Sequence, residues 1–174
     1  LNTVPYLTNE SLFDLKKLPE RLIVLGGGPI GVELGQAFRR LGSEVVIIEA
    51  DALLGREDPD AAAVVLAQLR ADGVEVMAGC KATRVEAGPT LTIECDGQTR
   101  TVSGSHLLVA VGRKPSLDGL DLDKAGVTTD RNGIVTDKSL RSSNKRVYAV
   151  GDAAGRGQFT HLAGAHASLL VRRA

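Results

Sequence analysis

Three glycines, Gly26, Gly28 and Gly31, have the spacing G-x-G-x-x-G directly after the apolar residues 22–25. In a dinucleotide-binding turn, the first glycine permits a sharp exit from a strand, the second lets a pyrophosphate approach the backbone, and the third lets a helix pack closely. A helix that begins here also presents free N–H groups and the positive end of its dipole to the phosphates. The spacing therefore predicts a pyrophosphate-binding turn between a strand and a helix.

A carboxylate follows the next apolar segment. Glu49 ends residues 44–49 and lies 18 residues after Gly31. A carboxylate at this place accepts hydrogen bonds from the hydroxyls of an adenosine ribose and repels a 2′-phosphate. We therefore expect NAD to be preferred over NADP. The alternative is an ordinary strand–helix–strand unit in which Glu49 has no ligand.

The hydrophobic pattern predicts the strands and helices around this turn. Residues 22–25, 44–49 and 74–78 are short apolar runs of the kind found in strands. Between them, residues 30–41 and the segment that begins at Pro59 carry apolar residues at helical spacing. We expect Asp58 to cap the second helix, with Pro59 at its first position, and glycine follows each helix. This order predicts an α/β protein: a Rossmann-type domain with a parallel sheet and helices on both faces.

The period of the pattern then changes to two. Residues 81–86, 91–95 and 99–103 alternate apolar with polar side chains and are separated by turn residues, which predicts a small antiparallel meander inserted in the domain. Residues 106–111 are almost uniformly apolar. We expect them to form a central parallel strand that is covered on both faces.

Two further elements are predicted near the end of the sequence. Residues 146–152 read as a short buried strand ending in Gly-Asp, after a loop-rich stretch. Residues 160–174 have helical spacing but no closing glycine, so we expect the chain to stop within a helix.

The composition excludes several function classes. The 174 residues carry 21 basic and 21 acidic side chains, so no charge excess suggests nucleic acid or an anionic membrane as a partner. No apolar stretch approaches the length of a membrane-spanning helix and no signal-peptide pattern is visible, so a cytoplasmic location is the default expectation.

No metal site is expected. Cys80 and Cys95 are 15 residues apart, a spacing that matches no metal or redox motif, and we expect reduced thiols. His161 and His166 are five apart, which places them on different faces of a helix and makes them a poor pair of metal ligands.

Three segments together carry a family resemblance. They are GGGPIGVELG at residues 26–35, LLVAVGRKP at residues 107–115 and VYAVGDAAG at residues 147–155. In order and spacing the chain resembles the class I pyridine nucleotide-disulfide oxidoreductases, which include dihydrolipoamide dehydrogenase, mercuric reductase and glutathione reductase. The resemblance implies a lead-in linker at residues 1–20, an NAD-binding domain at residues 21–112 and a partial FAD-binding domain segment at residues 113–174.

The resemblance also implies an activity for the parent protein. Such a flavoprotein transfers hydride between NADH and FAD, reduces a disulfide or a related acceptor, and forms a homodimer. The family's redox cysteine pair and its C-terminal interface domain are not found in this sequence, which corresponds to less than half of such an enzyme. We therefore expect no catalytic residue in this chain, with Glu33 as a support on the flavin side, and no turnover by the chain alone. The alternatives are a stand-alone NAD-binding or redox-sensing module without catalysis, and a relative with a non-disulfide acceptor.

Individual roles follow from the same resemblance. Glu49 corresponds to the ribose carboxylate, Ala82 to the adenine end and Gly112 to the strand end that meets the cofactor. Asp152 corresponds to the acceptor for the ribityl chain of the flavin, although it could merely cap a turn, and residues 158–161 open a helix aimed at the flavin pyrimidine. The predicted cofactor-binding residues are Gly26, Gly27, Gly28, Pro29, Ile30, Gly31, Val32, Glu33, Glu49, Ala82, Gly112, Arg113, Asp152, Gln158, Phe159, Thr160 and His161.

Overall fold

The computed structural model describes residues 4–172, and the chain divides between Gly112 and Arg113 into two compact units. The start of the predicted lead-in, residues 1–3, and the end of the predicted last helix, residues 173–174, lie outside the described residues. The elements of the first unit are a 3-10 helix (Ser11–Asp14), β1 (Arg21–Leu25), α1 (Pro29–Leu41), β2 (Glu44–Ile48), α2 (Pro59–Ala71), β3 (Glu75–Met77), β4 (Cys80–Glu86), β5 (Thr90–Cys95), β6 (Gln98–Ser103) and β7 (His106–Val109).

The first unit is built on a parallel sheet with the strand order β3-β2-β1-β7. Side chains of β1 alternate between two cores: Leu22 and Val24 pack with α1 and α2, while Ile23 packs with the antiparallel strands. All three are fully buried, because both faces of the sheet are covered. The predicted Rossmann-type α/β fold is confirmed, with one difference in arrangement: α1 and α2 share one face, and the antiparallel sheet covers the other.

The two helices begin and end as their sequences predict. The Asp58 carboxylate accepts hydrogen bonds from the N–H groups of Asp60 and Ala61 and so caps α2. Gly42 ends α1 in the left-handed region, at φ 116°, which a side chain rarely tolerates.

Asp72 connects the ends of the two helices. Its carboxylate accepts hydrogen bonds from Gln68 at 2.6 Å, from Gln36 at 2.8 Å and from Arg40 at 2.8 Å. These donors stabilise the charged form, with the hydrogen bond from Gln68 contributing most, so the pKa of Asp72 lies below its usual value of 3.8.

The predicted meander is the three-stranded antiparallel sheet β4-β5-β6. Cys80 is the first residue of β4, Cys95 is the last residue of β5, and the two are paired directly across the strands. Their Cα atoms are 4.4 Å apart and their sulfurs form a disulfide. The expectation of reduced thiols was therefore wrong: strand register brings the cysteines together, which a spacing of 15 residues does not reveal.

Strand β7 lies at the end of the strand order, so its prediction as a central strand was wrong. It is nonetheless covered on both faces, with Leu107 and Leu108 almost completely buried. Its outer edge is closed by the lead-in, since the Leu7 N–H donates to the Leu107 carbonyl and the Val109 N–H donates to the Leu7 carbonyl. Leu12, in the 3-10 helix of the lead-in, is 1% exposed in the helix-side core.

The second unit contains β8 (Thr129–Asp130), β9 (Gly133–Ile134), a 3-10 helix (Gly151–Ala154) and α3 (Thr160–Val171). The predicted buried strand at residues 146–152 was wrong. Within the described residues this segment makes one isolated bridge, Arg141↔Tyr148, and Tyr148 and Val150 are 40% and 39% exposed. An apolar run becomes a strand only where neighbouring strands pair with it.

The small core of the second unit consists of Val127, Ile134, Leu140, Ala149 and Ala154.

Candidate functional site

The glycine turn follows β1 at the carboxyl end of the parallel sheet. Gly26 has φ 114°, and a Cβ there would lie 2.5 Å from the carbonyl oxygen of Ala110. Its N–H donates to the Ile48 carbonyl at 2.8 Å. The turn is therefore wedged between the ends of β2 and β7, and only glycine fits at its first position.

The other two glycines of the motif have opposite surroundings. A Cβ on Gly31 would collide with the Gly26 carbonyl oxygen, so this glycine lets α1 pack against the turn. A Cβ on Gly28 would meet nothing within 4 Å, and its backbone is extended at φ −76° and ψ 179°. The open space beside Gly28 suits a group that approaches the backbone closely, which is the property a bound pyrophosphate requires.

Helix α1 presents its N-terminus at this open space. The Val32 N–H donates to the Gly28 carbonyl at 3.0 Å, and Gly28 provides no side chain to cap the preceding N–H groups. Pro29 occupies the first position, where its lack of an N–H costs nothing. The first turn therefore combines free N–H groups with the positive end of the helix dipole.

Glu49 lies beside this turn, as predicted from its place after β2. Its Oε2 accepts a hydrogen bond from the Gly27 N–H at 2.6 Å, and its Oε1 accepts one from the Asp51 N–H at 3.0 Å. An ionised carboxylate has about four lone-pair sites, so two backbone bonds fix its orientation and leave acceptor capacity for a ligand's hydroxyls. The structure thus brings the glycine turn and the predicted ribose carboxylate together.

The loop after Glu49 packs against the glycine turn at Gly27, a contact that was not predicted from the sequence. The Leu54 N–H donates to the Gly27 carbonyl at 2.9 Å, and a Cβ on Gly27 would lie 2.6 Å from Leu53. Both leucines are buried. The signal in the sequence was this pair of apolar residues within an otherwise polar connection.

The other predicted residues of the first unit lie on α1, on β4 and after the end of β7. On α1, Val32 is buried and Glu33 is exposed, while Ile30 is half-buried. Ala82 is half-buried on β4, where it pairs with Ile93. Gly112 is exposed three residues after β7, close in sequence to the Ala110 carbonyl that contacts the glycine turn.

In the second unit, Asp152 is exposed within the 3-10 helix. The N–H of the preceding Gly151 donates to Nδ1 of His166 at 3.2 Å, so α3 fixes the turn that presents Asp152. Nδ1 must then be the unprotonated ring nitrogen. This role of His166 was not predicted from the sequence, because the contact joins residues that are 15 positions apart.

Helix α3 begins directly after the other predicted flavin-side residues. Phe159 is its N-cap residue and no side chain caps it, so the N–H groups of the first turn are available. The rings of Phe159 and His161 stack with centroids 5.3 Å apart, and Thr160 opens the helix. Arg113 donates from Nη1 to the Gln158 carbonyl at 3.0 Å and so holds the loop before the helix.

Two negative observations hold for residues 4–172. No group of three or more metal-ligating side chains comes together in them. None of their helices combines the length and apolar character needed to cross a bilayer.

Comparison with known proteins gives a consistent result. The profile of the pyridine nucleotide-disulphide oxidoreductase family matches residues 1–167. The chain is 39% identical to a mercuric reductase of Bacillus cereus, over 100% of this chain and 28% of that protein. It is 40% identical to a dihydrolipoyl dehydrogenase of Bacillus subtilis, over 90% of this chain and 35% of that protein. The chain thus spans about a third of the length of these curated relatives.

Solved structures agree with the sequence relatives. The HOCl-induced flavoprotein disulfide reductase RclA of Escherichia coli superposes with a TM-score of 0.87 at 31% identity, covering 99% of this chain and 40% of that one. The resemblance inferred from the glycine turn, the segment after β7 and the Gly-Asp segment is therefore confirmed, and the chain belongs to the pyridine nucleotide-disulphide oxidoreductase family.

Proposed function

We propose that the chain is the NAD-binding portion, with part of the FAD-binding domain, of an FAD-dependent oxidoreductase. In the full-length enzyme, hydride transfer between NADH and FAD would reduce a disulfide or a related acceptor. The nicotinamide and the flavin supply that redox chemistry when bound, and the residues of this chain supply binding and orientation.

One observation carries the assignment of NAD. The Glu49 carboxylate is held by the Gly27 N–H, within the same turn whose open Gly28 fits a pyrophosphate. A ribose next to the pyrophosphate therefore meets a fixed acceptor for its hydroxyls. A 2′-phosphate at the same position would meet a negative charge that cannot turn away, which supports a preference for NAD over NADP.

The second unit contains groups that suit a flavin. Asp152 offers an exposed carboxylate for hydroxyl donors, and His166 holds the turn before it. The uncapped first turn of α3 directs N–H groups and positive dipole toward any electron-rich group placed before it. These features support the FAD segment and weigh against a stand-alone NAD-binding module, which would have no use for them.

Titration of the chain with NADH and with NADPH, followed by calorimetry, tests the proposal. We expect NADH to bind at least tenfold more tightly, which corresponds to about 1.4 kcal/mol. Equal affinity, or tighter binding of NADPH, would overturn the ribose assignment. Because about two thirds of the length of the curated relatives lies outside this chain, we expect no stable flavin absorbance in the purified chain after FAD is added and excess removed.

The homodimer of the full-length enzyme and its cytoplasmic location stay predictions. Several apolar side chains in the second unit are exposed, including Phe159, Leu169 and Val171. Such a surface is typical of a face that another part of the protein covers. Light scattering of the full-length enzyme would decide its oligomeric state.

A further inference from the structure

The disulfide between Cys80 and Cys95 lies next to the candidate ribose carboxylate. The Cys80 N–H donates to the Glu49 carbonyl at 2.9 Å, and the neighbouring Gly79 N–H donates to the Asp51 carbonyl at 3.0 Å. These two bonds attach the start of β4 to the segment that carries Glu49. We infer that Cys80 and Cys95 form a reversible dithiol–disulfide pair. Its redox state controls the mobility of residues 49–51, called here the Glu49 segment.

The strand register allows both redox states. The two cysteines are directly opposite each other in the antiparallel ladder, so the thiols stay adjacent when the bond between them is broken. Both side chains lie in an apolar cluster that accepts a neutral thiol. After reduction the Cys80 thiol also has an acceptor at hand, the Ala78 carbonyl oxygen at 3.6 Å from Sγ.

The position of the pair makes it reachable by a small thiol. The cysteine side chains are 5% and 3% exposed, but they occupy the first position of β4 and the last position of β5. The turn that follows β5, Asp96–Gly97, is exposed, so opening of this corner uncovers the sulfurs without unfolding the sheet.

The redox step is ordinary thiol–disulfide exchange. Two molecules of a low-molecular-weight thiol reduce the bond, which yields one thiol on each cysteine and one small-molecule disulfide, with two electrons and two protons transferred. In the oxidised state the covalent bond ties Cys80 to β5, which limits the motion of its N–H away from the Glu49 carbonyl. In the reduced state Cys80 keeps its hydrogen bonds, its strand pairing and its packing, but no covalent bond ties it to β5.

The consequence for nucleotide binding rests on the proposed function. If the Glu49 carboxylate binds the ribose, the oxidised chain holds this acceptor in place before NADH arrives. In the reduced chain, binding must also order the Glu49 segment, which costs conformational entropy. We expect NADH to bind about fivefold more weakly after reduction, at the lower end of ordinary coupling between two sites.

Three measurements on the full chain test the inference. Thiols are first counted with an aromatic disulfide reagent in denaturant, and we expect none before and two after native treatment with dithiothreitol. Amide hydrogen exchange by mass spectrometry then compares residues 49–51 and 79–81 in the two states, and we expect faster exchange after reduction. Calorimetric titration with NADH completes the set. A double variant, Cys80→Ala with Cys95→Ala, should be indifferent to dithiothreitol in the last two measurements.

The outcomes separate the inference from the proposed function. Each of three results would overturn the inference. The first is two free thiols that diamide does not oxidise, and the second is a disulfide that dithiothreitol does not reduce in the native chain. The third is identical hydrogen exchange in the two redox states. Altered exchange with no NADH binding in either state would support the inference and overturn the proposed function. Altered exchange with equal NADH affinity would overturn the predicted effect on binding. If the double variant does not fold, wild-type chain reoxidised after reduction serves as the control, and its exchange and affinity should return to their starting values.

Discussion

The Gly27 N–H donates a hydrogen bond to Oε2 of Glu49 at 2.6 Å. The glycine turn and the Glu49 carboxylate are therefore held together before any ligand binds. The second carboxylate oxygen is fixed by the Asp51 N–H. A charged acceptor that is oriented in advance loses less conformational entropy when a ligand binds. In the proposed binding mode, the same bond keeps the Glu49 carboxylate from turning away from a 2′-phosphate on the ribose, so we expect it to favour NAD over NADP.

Replacement of Glu49 by glutamine tests the charge at nearly constant shape. The amide oxygen can still accept from one backbone N–H, but the charge-assisted bonds to ribose hydroxyls are lost, and hydrogen bonds to charged groups contribute about 1.5–3 kcal/mol. We expect NADH affinity to fall roughly tenfold or more, with a smaller loss for NADPH. Glu57→Gln, on an exposed glutamate of the same loop, is the matched control and should bind like wild type. Unchanged NADH affinity in Glu49→Gln would contradict the role of this carboxylate.

The glycine motif allows stability and binding to be separated. An alanine at Gly28 meets no atom within 4 Å and fits the extended backbone, so we expect Gly28→Ala to keep the melting temperature, or to raise stability by about 0.4–1 kcal/mol. The new methyl group fills the space assigned to the pyrophosphate, so NADH binding should be lost. Differential scanning fluorimetry and calorimetry report the two effects.

Gly31→Ala is the counterpart of that variant. Its methyl group would collide with the Gly26 carbonyl oxygen, which is backbone and cannot turn aside. We expect a loss of stability of about 1–3 kcal/mol from overpacking at this contact. A Gly31→Ala chain as stable as wild type would show that α1 can move away from the turn, and would weaken the geometric argument for the motif.

Acid should destabilise the first unit partly through Asp72. The hydrogen bond from Gln68, followed by those from Gln36 and Arg40, lowers the pKa of Asp72 in the folded state. The contribution of Asp72 to the free energy of unfolding is therefore fully present above the ordinary pKa of 3.8. It is lost as the pH falls through the lowered pKa. We expect Asp72→Asn to lower the urea midpoint at pH 7 and to have a smaller effect near pH 3. Asp118→Asn, on an exposed loop residue, is the control and should follow wild type at both pH values. An equal effect of Asp72→Asn at both pH values would contradict the electrostatic explanation.

Removal of the disulfide should lower global stability as well as change the Glu49 segment. Cys80 and Cys95 close a loop of about 15 residues, for which chain entropy predicts about 3 kcal/mol. We expect dithiothreitol to lower the urea midpoint of the wild-type chain and to leave the Cys80→Ala, Cys95→Ala variant unchanged. A smaller effect is expected if the β4–β5 hairpin persists in the unfolded chain.

The elements that depend on local pattern could be predicted from the amino-acid sequence alone. Period-two and period-3.6 hydrophobicity, Asp58 and the glycines after each helix predicted the strands and helices of the first unit, because capping and side-chain direction are set within a few residues. The motif spacing likewise predicted that Glu49 belongs with the glycine turn. The family followed from three such segments in order.

Contacts between residues that are far apart in the sequence became known only from the folded chain. Register across β4 and β5 paired the cysteines, the lead-in rather than another full strand closed the edge of β7, and the apolar run before Asp152 made a single bridge in place of a strand. The contact between His166 and the Gly151 N–H has the same origin. Each depends on which segments become neighbours after folding, and hydrophobic pattern specifies that a side chain is buried but not what it is buried against.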